Sequence, residues 1–236
     1  MAVKEGKVVV ISSAKGGVGK STLALDLANH SSKKTIVVDF DLSGRALATS
    51  LNLEFELDIY ELLGDLESRK YASLENYVVD YKKKFAILVA PNDPRKISQI
   101  NYSFVEVLLH ELKTKYELII IDTNHVIDKL NLILHDLADE IIFVVTPNLI
   151  DFKNIKSVIN IYKNIDKTNY KIVLNRALNK SNYYSDSEAR ALIEENIDYI
   201  IPTAAHLKNY EKQLLNGEIK SHKKHFSKIL KAIGGE

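Results

Sequence analysis

The fold is decided by the stretch Lys15-Gly16-Gly17-Val18-Gly19-Lys20-Ser21-Thr22, which separates an apolar run at residues 8–11 from an amphipathic run at residues 21–30. The apolar run predicts a β-strand and the amphipathic run a helix, so the three glycines fall in the turn between them. Glycines allow consecutive backbone N–H groups to point into one concavity, and a helix N-terminus adds partial positive charge there. The stretch therefore predicts a phosphate-binding loop.

The rest of the chain continues the alternation of short apolar runs and helical patterns. Further strands are predicted at residues 36–38, 85–89, 118–121, 141–145, 172–174 and 199–201. Helices are predicted at residues 104–115, 129–137, 154–165, 186–195, 205–215 and 222–233. Uniformly apolar strands that alternate with helices are typical of a parallel sheet covered on both faces. We expect a single α/β domain over residues 1–236, with one doubly wound, mostly parallel sheet; residues 51–81 are its least regular part.

Composition and charge narrow the class of protein. The chain has 236 residues, a formal net charge of +1 at pH 7 and no cysteine. The charge gives no global attraction to nucleic acid or membranes, and the lack of cysteine excludes disulfides, thiolate metal sites and Fe–S clusters. No apolar run approaches the roughly 20 residues that cross a bilayer, and the first residues lack a signal-peptide pattern. We expect a cytoplasmic protein.

The side chains after the last glycine, and three aspartates, are candidates for binding a nucleotide with its metal. Lys20 is placed to reach the β- and γ-phosphates, the Ser21 hydroxyl to bind Mg²⁺, and Thr22 to donate to an α-phosphate oxygen. Asp122 ends an apolar run, which is typical of a strand that delivers a carboxylate to the magnesium ion. Asp39 and Asp41 end the second strand, where side chains of a parallel sheet face the ligand crevice. Capping of a turn is the alternative for these two.

With Lys15 the motif reads K-G-G-x-G-K-[ST], and on this motif the chain resembles the deviant Walker A ATPases of the ParA/MinD superfamily. The resemblance extends over nearly the whole chain. It implies ATP and Mg²⁺ as cofactors, slow ATP hydrolysis, and an ATP-dependent homodimer in which Lys15 crosses to the nucleotide of the other subunit. It also implies that Asp41 orients the attacking water, so Lys15, Lys20 and Asp41 are the expected catalytic residues.

The same resemblance assigns the remaining contacts. It implies that Asn175 binds the adenine edge and that Arg176 and Pro202 pack near the base. The expected magnesium site consists of Ser21, Asp39 and Asp122. The expected phosphate contacts are Gly16, Gly17, Val18, Gly19, Lys20, Ser21 and Thr22.

Asn124 and His125 follow Asp122 and Thr123, where members of the superfamily usually have two prolines. We interpret His125 as a surface histidine, with contact to the γ-phosphate as the alternative. The altered segment also leaves open a scaffold that holds ATP without hydrolysing it.

Within the superfamily, residues 85–94 and 144–148 look most like the CpaE/TadZ pilus-assembly ATPases. This resemblance implies an ATP-gated dimer that positions or assembles an envelope machine such as a pilus, with recruitment to the inner face of the membrane or a cell pole. A ParA-type DNA-partitioning ATPase and a MinD-type or flagellar-number-type positioning ATPase are the alternatives. CpaE-type proteins often carry an additional N-terminal receiver-like domain, whereas this chain begins at the ATPase strand.

Two basic segments are candidates for DNA or lipid contact. Lys82, Lys83 and Lys84 are interpreted as a solvated turn. Residues 220–233 combine five lysines with four apolar residues at helical spacing, which predicts an amphipathic helix with a basic face. We interpret it as the last core helix, with membrane or DNA contact as the alternative.

Overall fold

The computed structural model describes residues 5–42, 44, 46–176, 184–202, 213 and 223–236. Within these residues the strands are β1 Lys7–Ser12, β2 Thr35–Phe40, β3 Val78–Tyr81, β4 Phe85–Leu88, β5 Leu118–Thr123, β6 Glu140–Val145, β7 Tyr170–Asn175 and β8 Tyr199–Ile201. They form one sheet in the order β3-β4-β2-β5-β1-β6-β7-β8. Every neighbouring pair is parallel except the β3–β4 hairpin. The predicted doubly wound, mostly parallel sheet is confirmed.

Helices cover both faces of this sheet. They are α1 Lys20–His30, α2 Ala46–Leu51, α3 Ile59–Glu67, α4 Pro94–Ile97, α5 Val105–Lys115, α6 Lys129–Leu137, α7 Leu149–Asn164, α8 Asp186–Ile193 and α9 Lys223–Ile233. Short 3₁₀ helices lie at Leu74–Asn76 and Tyr102–Phe104. One apolar cluster packs α3, α5, α6, α7 and α8 on one face, and a second packs α1, α2 and α9 on the other. The inner strands are therefore buried from both sides, which explains their mostly apolar sequences.

The central strand β1 lies between β5 and β6, and this arrangement positions the site. The carboxyl ends of these parallel strands meet at one edge of the sheet, where the loops that follow them converge. The side chain of Thr123 fastens this edge, because its Oγ1 donates a hydrogen bond of 2.8 Å to the Ile11 carbonyl oxygen.

The structure differs from the sequence prediction in two notable places, and the short helices α2 and α4 were also not predicted. Helix α7 begins at Leu149, five residues before the predicted start, because the Asn148 side chain accepts hydrogen bonds from the backbone N–H groups of Ile150 and Asp151. The irregular stretch 51–81 contains α3 and the edge strand β3, which was not predicted. The predicted helix at residues 205–215 lies outside the described residues, Gln213 excepted.

The interpretation of the last segment as a core helix is confirmed. Phe226, Ile229, Leu230 and Ile233 of α9 are all buried, so its apolar face packs on the protein and only its basic face meets solvent. Lys82 and Lys83 form an exposed turn, as predicted, with positive φ angles of 50° and 57°. Over the described part of the chain, no helix is both long and apolar enough to span a membrane.

Candidate functional site

The glycine-rich loop joins β1 to α1 and has the backbone geometry of a phosphate cradle. Gly17 and Gly19 have φ angles of 72° and 97°, a left-handed conformation that residues with a Cβ rarely adopt. Gly19 is the N-cap of α1 and offers no side chain to its first turn. The first N–H groups of α1 are therefore left for an anion, at the end of the helix that carries partial positive charge.

Asn175 supports this loop from the end of β7. Its Nδ2 donates a hydrogen bond of 2.9 Å to the Val18 carbonyl oxygen, and Val18 is itself buried. A Cβ on Gly19 would lie 2.6 Å from the same Nδ2, which is too close. Position 19 thus requires glycine for two independent reasons. The structure also places Asn175 at the phosphate loop, whereas the sequence prediction linked this residue only to the adenine edge.

Asp39 and Asp122 form a buried pair of carboxylates beside the loop. They are register partners on β2 and β5, and both side chains are fully buried. Asp39 Oδ1 accepts a hydrogen bond of 3.1 Å from the Asp41 backbone N–H. Its Oδ2 and both Asp122 oxygens have no hydrogen-bond partner among the described residues. Buried carboxylate oxygens without partners are costly, so the pair is suited to binding a cation.

The pKa values of these carboxylates follow from their burial. Desolvation raises the pKa of Asp122 to about 7, although the nearby Ser21 hydroxyl and Lys20 ammonium act in the opposite direction. The Ser21 hydroxyl is close enough to favour the carboxylate, but it does not reach hydrogen-bonding geometry. Desolvation, then Asp122 and Asp41, raise the pKa of Asp39 well above its usual range. A bound cation would favour the ionised form of both groups.

Lys20 lies among acidic side chains with only 7% of its surface exposed. Burial lowers the pKa of its ammonium group, while Asp122, Asp41 and Asp151 raise it. The motif lysine thus lies within electrostatic range of Asp41 and Asp122, which are near strand ends, and of Asp151 on α7.

Asp151 is the site residue that sequence reasoning missed. It lies in the first turn of α7, is fully buried, and accepts hydrogen bonds of 2.7 and 2.8 Å from the backbone N–H and Oγ1 of Thr146. Its Oδ1 has no partner among the described residues. Burial raises the pKa of Asp151, and the Thr146 hydrogen bonds and the charges of Lys15 and Lys20 lower it. The available sequence signal was an acidic residue at the third position of a helix that follows a buried strand.

The other predicted residues lie around this centre in different ways. Asp41 is half-buried, and its Oδ1 accepts a hydrogen bond of 3.1 Å from the Gly44 N–H, so it also caps a turn. Arg176 makes an ion pair with Asp186 at 2.6 Å and donates to the Tyr184 carbonyl oxygen, so its guanidinium is directed to the start of α8. Pro202 follows β8 beside Asn175, because Asn175 is the register partner of Ile201.

His125 lies against the phosphate loop. Its imidazole Nδ1 would be 3.5 Å from a Cβ on Gly16, and the side chain is exposed. The segment that departs from the superfamily pattern therefore borders the candidate site.

Comparison with known proteins assigns the class. Residues 6–180 match the family described as an AAA domain. The match covers most of the chain, so the chain belongs to this family and, with its loop motif and sheet order, to the ParA/MinD superfamily of Walker ATPases. The predicted superfamily is thereby confirmed, whereas the CpaE/TadZ resemblance stays a prediction.

Particular relatives are the septum site-determining proteins MinD. The chain is 32% identical to MinD of Helicobacter pylori over 159 residues, which are 65% of this chain and 58% of that protein. The chain thus spans less than two thirds of that relative's length.

Solved structures of the superfamily have the same fold. A ParA family ATPase from Chlorobium tepidum gives a TM-score of 0.81 at 22% identity and covers 94% of this chain and 98% of that one. MinD in the MinC:MinD complex of Aquifex aeolicus gives 0.77 at 25% identity, covering 98% and 97%. MinD of Pyrococcus horikoshii, complexed with Mg-ADP, gives 0.78 at 20% identity, covering 97% and 96%.

Proposed function

We propose that this chain is a Mg²⁺-dependent ATPase that works as an ATP-gated homodimer. The observation that carries the proposal is the buried pair Asp39 and Asp122, which has three oxygens unpartnered within the described part of the chain, with Asp122 near the Ser21 hydroxyl and the ammonium group of Lys20. This donor set fits a magnesium ion together with nucleotide phosphates, because Mg²⁺ prefers one or two carboxylates plus phosphate oxygens.

Different residues of the loop and its neighbouring strands bind the phosphates and the magnesium ion. Backbone N–H groups of residues 16–19 and the first turn of α1 hold phosphate oxygens, with Thr22 at the α-phosphate. Lys20 neutralises charge on the β- and γ-phosphates, and Ser21, Asp39 and Asp122 hold the magnesium ion. The ion, when bound, supplies further charge neutralisation on the phosphate oxygens. Asn175 keeps the loop in shape, and it lies with Arg176 and Pro202 at the ends of β7 and β8, where the base would pack.

Hydrolysis is proposed to be slow and to depend on Asp41. The Gly44 N–H donates a hydrogen bond to the carboxylate of this half-buried residue. The charge of Asp41 lies near enough to Lys20 to raise the pKa of the lysine. A carboxylate held there orients an attacking water without being needed for binding. No arginine finger is recognisable in the sequence, and the lack of one lowers such rates by about 10³–10⁵-fold.

The surface around the loop supports a second copy of the chain as the partner. Val126 and Ile127, in the segment after β5, are 54% and 37% exposed, and Leu149 and Ile150, at the start of α7, are 36% and 65% exposed. Because β5 and β6 flank β1, these apolar side chains lie on both sides of the loop. We call these four residues the flanking patch. A second subunit that presents Lys15 to the nucleotide would cover the patch, and burial of exposed apolar groups would stabilise the dimer.

The dimer is proposed to position or assemble an envelope machine such as a pilus, with recruitment to the inner face of the membrane or a cell pole. The MinD relatives are septum site-determining proteins, and one neighbour is a MinC:MinD complex, which favours positioning through a protein partner. The CpaE/TadZ-like segments at residues 85–94 and 144–148 favour the pilus. Enrichment of pilus-assembly proteins with ATP but not with ADP, in a pull-down from the source cell, is the expected result.

Binding is the first test. Isothermal titration calorimetry with ATP and Mg²⁺ should detect one site per chain in the wild type and little or no binding in Lys20→Ala, because the variant lacks the charge that neutralises the β- and γ-oxygens. Lys153→Ala, an exposed lysine of α7, is the matched control and should bind as the wild type does. Equal ATP affinity in Lys20→Ala and the wild type would contradict the assignment.

A further inference from the structure

The imidazole of His125 lies beside the phosphate loop, next to Gly16. Its Nδ1, Cε1 and Cγ atoms would be 3.5, 3.6 and 3.7 Å from a Cβ on Gly16, so the ring faces Gly16 across a space of about one methyl group. The side chain is exposed, and within the described residues the imidazole makes no hydrogen bond or ion pair. Its polar edge is therefore accessible to a ligand held by the loop.

Hydrogen bonds on both sides fix the segment that carries His125. Thr123 is bound to the Ile11 carbonyl oxygen of β1 at 2.8 Å. Asn124 Oδ1 accepts hydrogen bonds from the Val126 N–H at 2.8 Å and from Asn131 Nδ2 at 2.9 Å, which ties the segment to α6. Asn124 thus forms an Asx turn where the superfamily usually has a proline. The hydrogen bonds of Thr123 and Asn124 fix the backbone on which the His125 imidazole is carried.

The segment would lie near the terminal phosphate of a bound triphosphate. It begins directly after Asp122 and Thr123, and Asp122 is the carboxylate assigned to the magnesium ion. Asp122 would hold a magnesium ion that neutralises charge on the terminal phosphates, so residues next to this carboxylate would lie near the γ-phosphate. An imidazole donates an N–H group in either protonation state, and hydrogen bonds to charged oxygens are stronger than neutral ones.

We propose that His125 donates a hydrogen bond to the terminal phosphate of a bound nucleoside triphosphate and so makes the site prefer the triphosphate over the diphosphate. The inference rests on the proposed function, which it extends by one specificity-determining residue. It also connects nucleotide state to dimerisation, because Val126 and Ile127 of the flanking patch follow His125 directly. The His125 hydrogen bond, which forms only with the triphosphate, holds the side chains of Val126 and Ile127 in one arrangement.

The experiment compares the affinities of ATPγS and ADP, each with Mg²⁺, by calorimetry. His125→Ala should lower the affinity for ATPγS about 10- to 100-fold, the range expected for one lost hydrogen bond to a charged group. The affinity for ADP should stay unchanged within about twofold. His125→Gln keeps an N–H donor at similar reach and should recover most of the preference. His110→Ala, an exposed histidine of α5, is the matched control and should bind as the wild type does.

The outcomes separate this inference from the function on which it rests. If His125→Ala weakens both nucleotides alike, the residue only supports the loop, and the inference is wrong. If the variant changes neither affinity, the inference is also wrong, while the proposed function stands on the wild-type binding. Failure of the wild type to bind either nucleotide would overturn both.

Discussion

Replacing Asp122 with asparagine should stabilise the nucleotide-free protein and abolish magnesium-dependent binding. Asp122 is fully buried, and burial raises the pKa of its carboxyl from 3.8 to about 7. The folded protein therefore binds a proton at this group more tightly than the unfolded chain does. Its contribution to the free energy of unfolding is then lost as pH rises from about 4 to about 7. Asparagine has nearly the same shape and no charge, so the variant avoids this loss.

The magnitude follows from the two pKa values. A difference of about three pH units at 1.36 kcal/mol per unit gives an upper bound of about 4 kcal/mol above pH 7. Lys20 loses one anionic neighbour in the variant but keeps Asp41 and Asp151, so the net gain should be about 1–4 kcal/mol. The gain should shrink towards zero near pH 4, where the carboxyl is protonated in the folded protein.

Urea denaturation of the wild type and of Asp122→Asn at pH 5, 6, 7 and 8 measures this difference directly. Taking the difference cancels distant titrating groups, whereas Asp39, whose pKa is raised by desolvation and then by Asp122, responds to the substitution in the same direction. Asp136→Asn is the control, because the Asp136 side chain is 76% exposed, and its ion pair with Lys167 should contribute at most about 1 kcal/mol. A variant that is less stable than the wild type at pH 8, or a difference that does not grow with pH, would refute the reasoning.

Four further predictions test separate parts of the structure. Lys15→Ala should keep nucleotide binding but lose the ATP-dependent dimer in sedimentation velocity; identical oligomeric states with ATP and ADP in the wild type would contradict this. Asp41→Ala should keep ATP affinity and dimerisation while phosphate release falls about tenfold or more, since positioning contributes to rate and not to binding; wild-type turnover would move the role to another residue. Phe226→Ala should lower the free energy of unfolding by about 3–5 kcal/mol, because the ring is 2% exposed; an unchanged urea midpoint would show that α9 is not part of the core. The pKa of buried His135 is lowered to about 4, first by desolvation and then by the charge of Lys167, so stability should fall as pH drops from about 6.5 through 4. His135→Phe should flatten this acid dependence in thermal melts, and an unaltered profile would assign it to other groups.

The sequence predicted the features that depend on neighbouring residues. The loop, its flanking strand and helix, and the carboxylates at the ends of β2 and β5 all follow from local patterns. The early start of α7 was also a local feature, the cap formed by Asn148, but the weak apolar periodicity of residues 149–153 concealed it. Edge strand β3 was missed because only one of its four residues is buried, which leaves no apolar run to detect.

Features that depend on strand order were not predictable from one sequence. Asp151 lies within electrostatic range of Lys15 and Lys20 only because β6 pairs with β1. In the sequence, Asp151 is more than a hundred positions from either lysine. Likewise, the contact of Asn175 with Val18 joins residues 157 positions apart. The sequence suggested a residue at the adenine edge, and the structure adds a second contact that holds the loop itself.

The helix that follows the phosphate loop completes its packing with residues far later in the sequence. Leu23 and Leu27 of α1 share their apolar cluster with Phe226 and Leu230 of α9. At the far end of α1, the Ser31 hydroxyl donates to the Gly235 carbonyl oxygen across 204 positions. A contact between residues so far apart in the sequence closes a long loop, so it forms late in folding. We therefore expect the nucleotide site to become firm only after α9 has packed on α1, so that nucleotide-dependent switching requires this late contact.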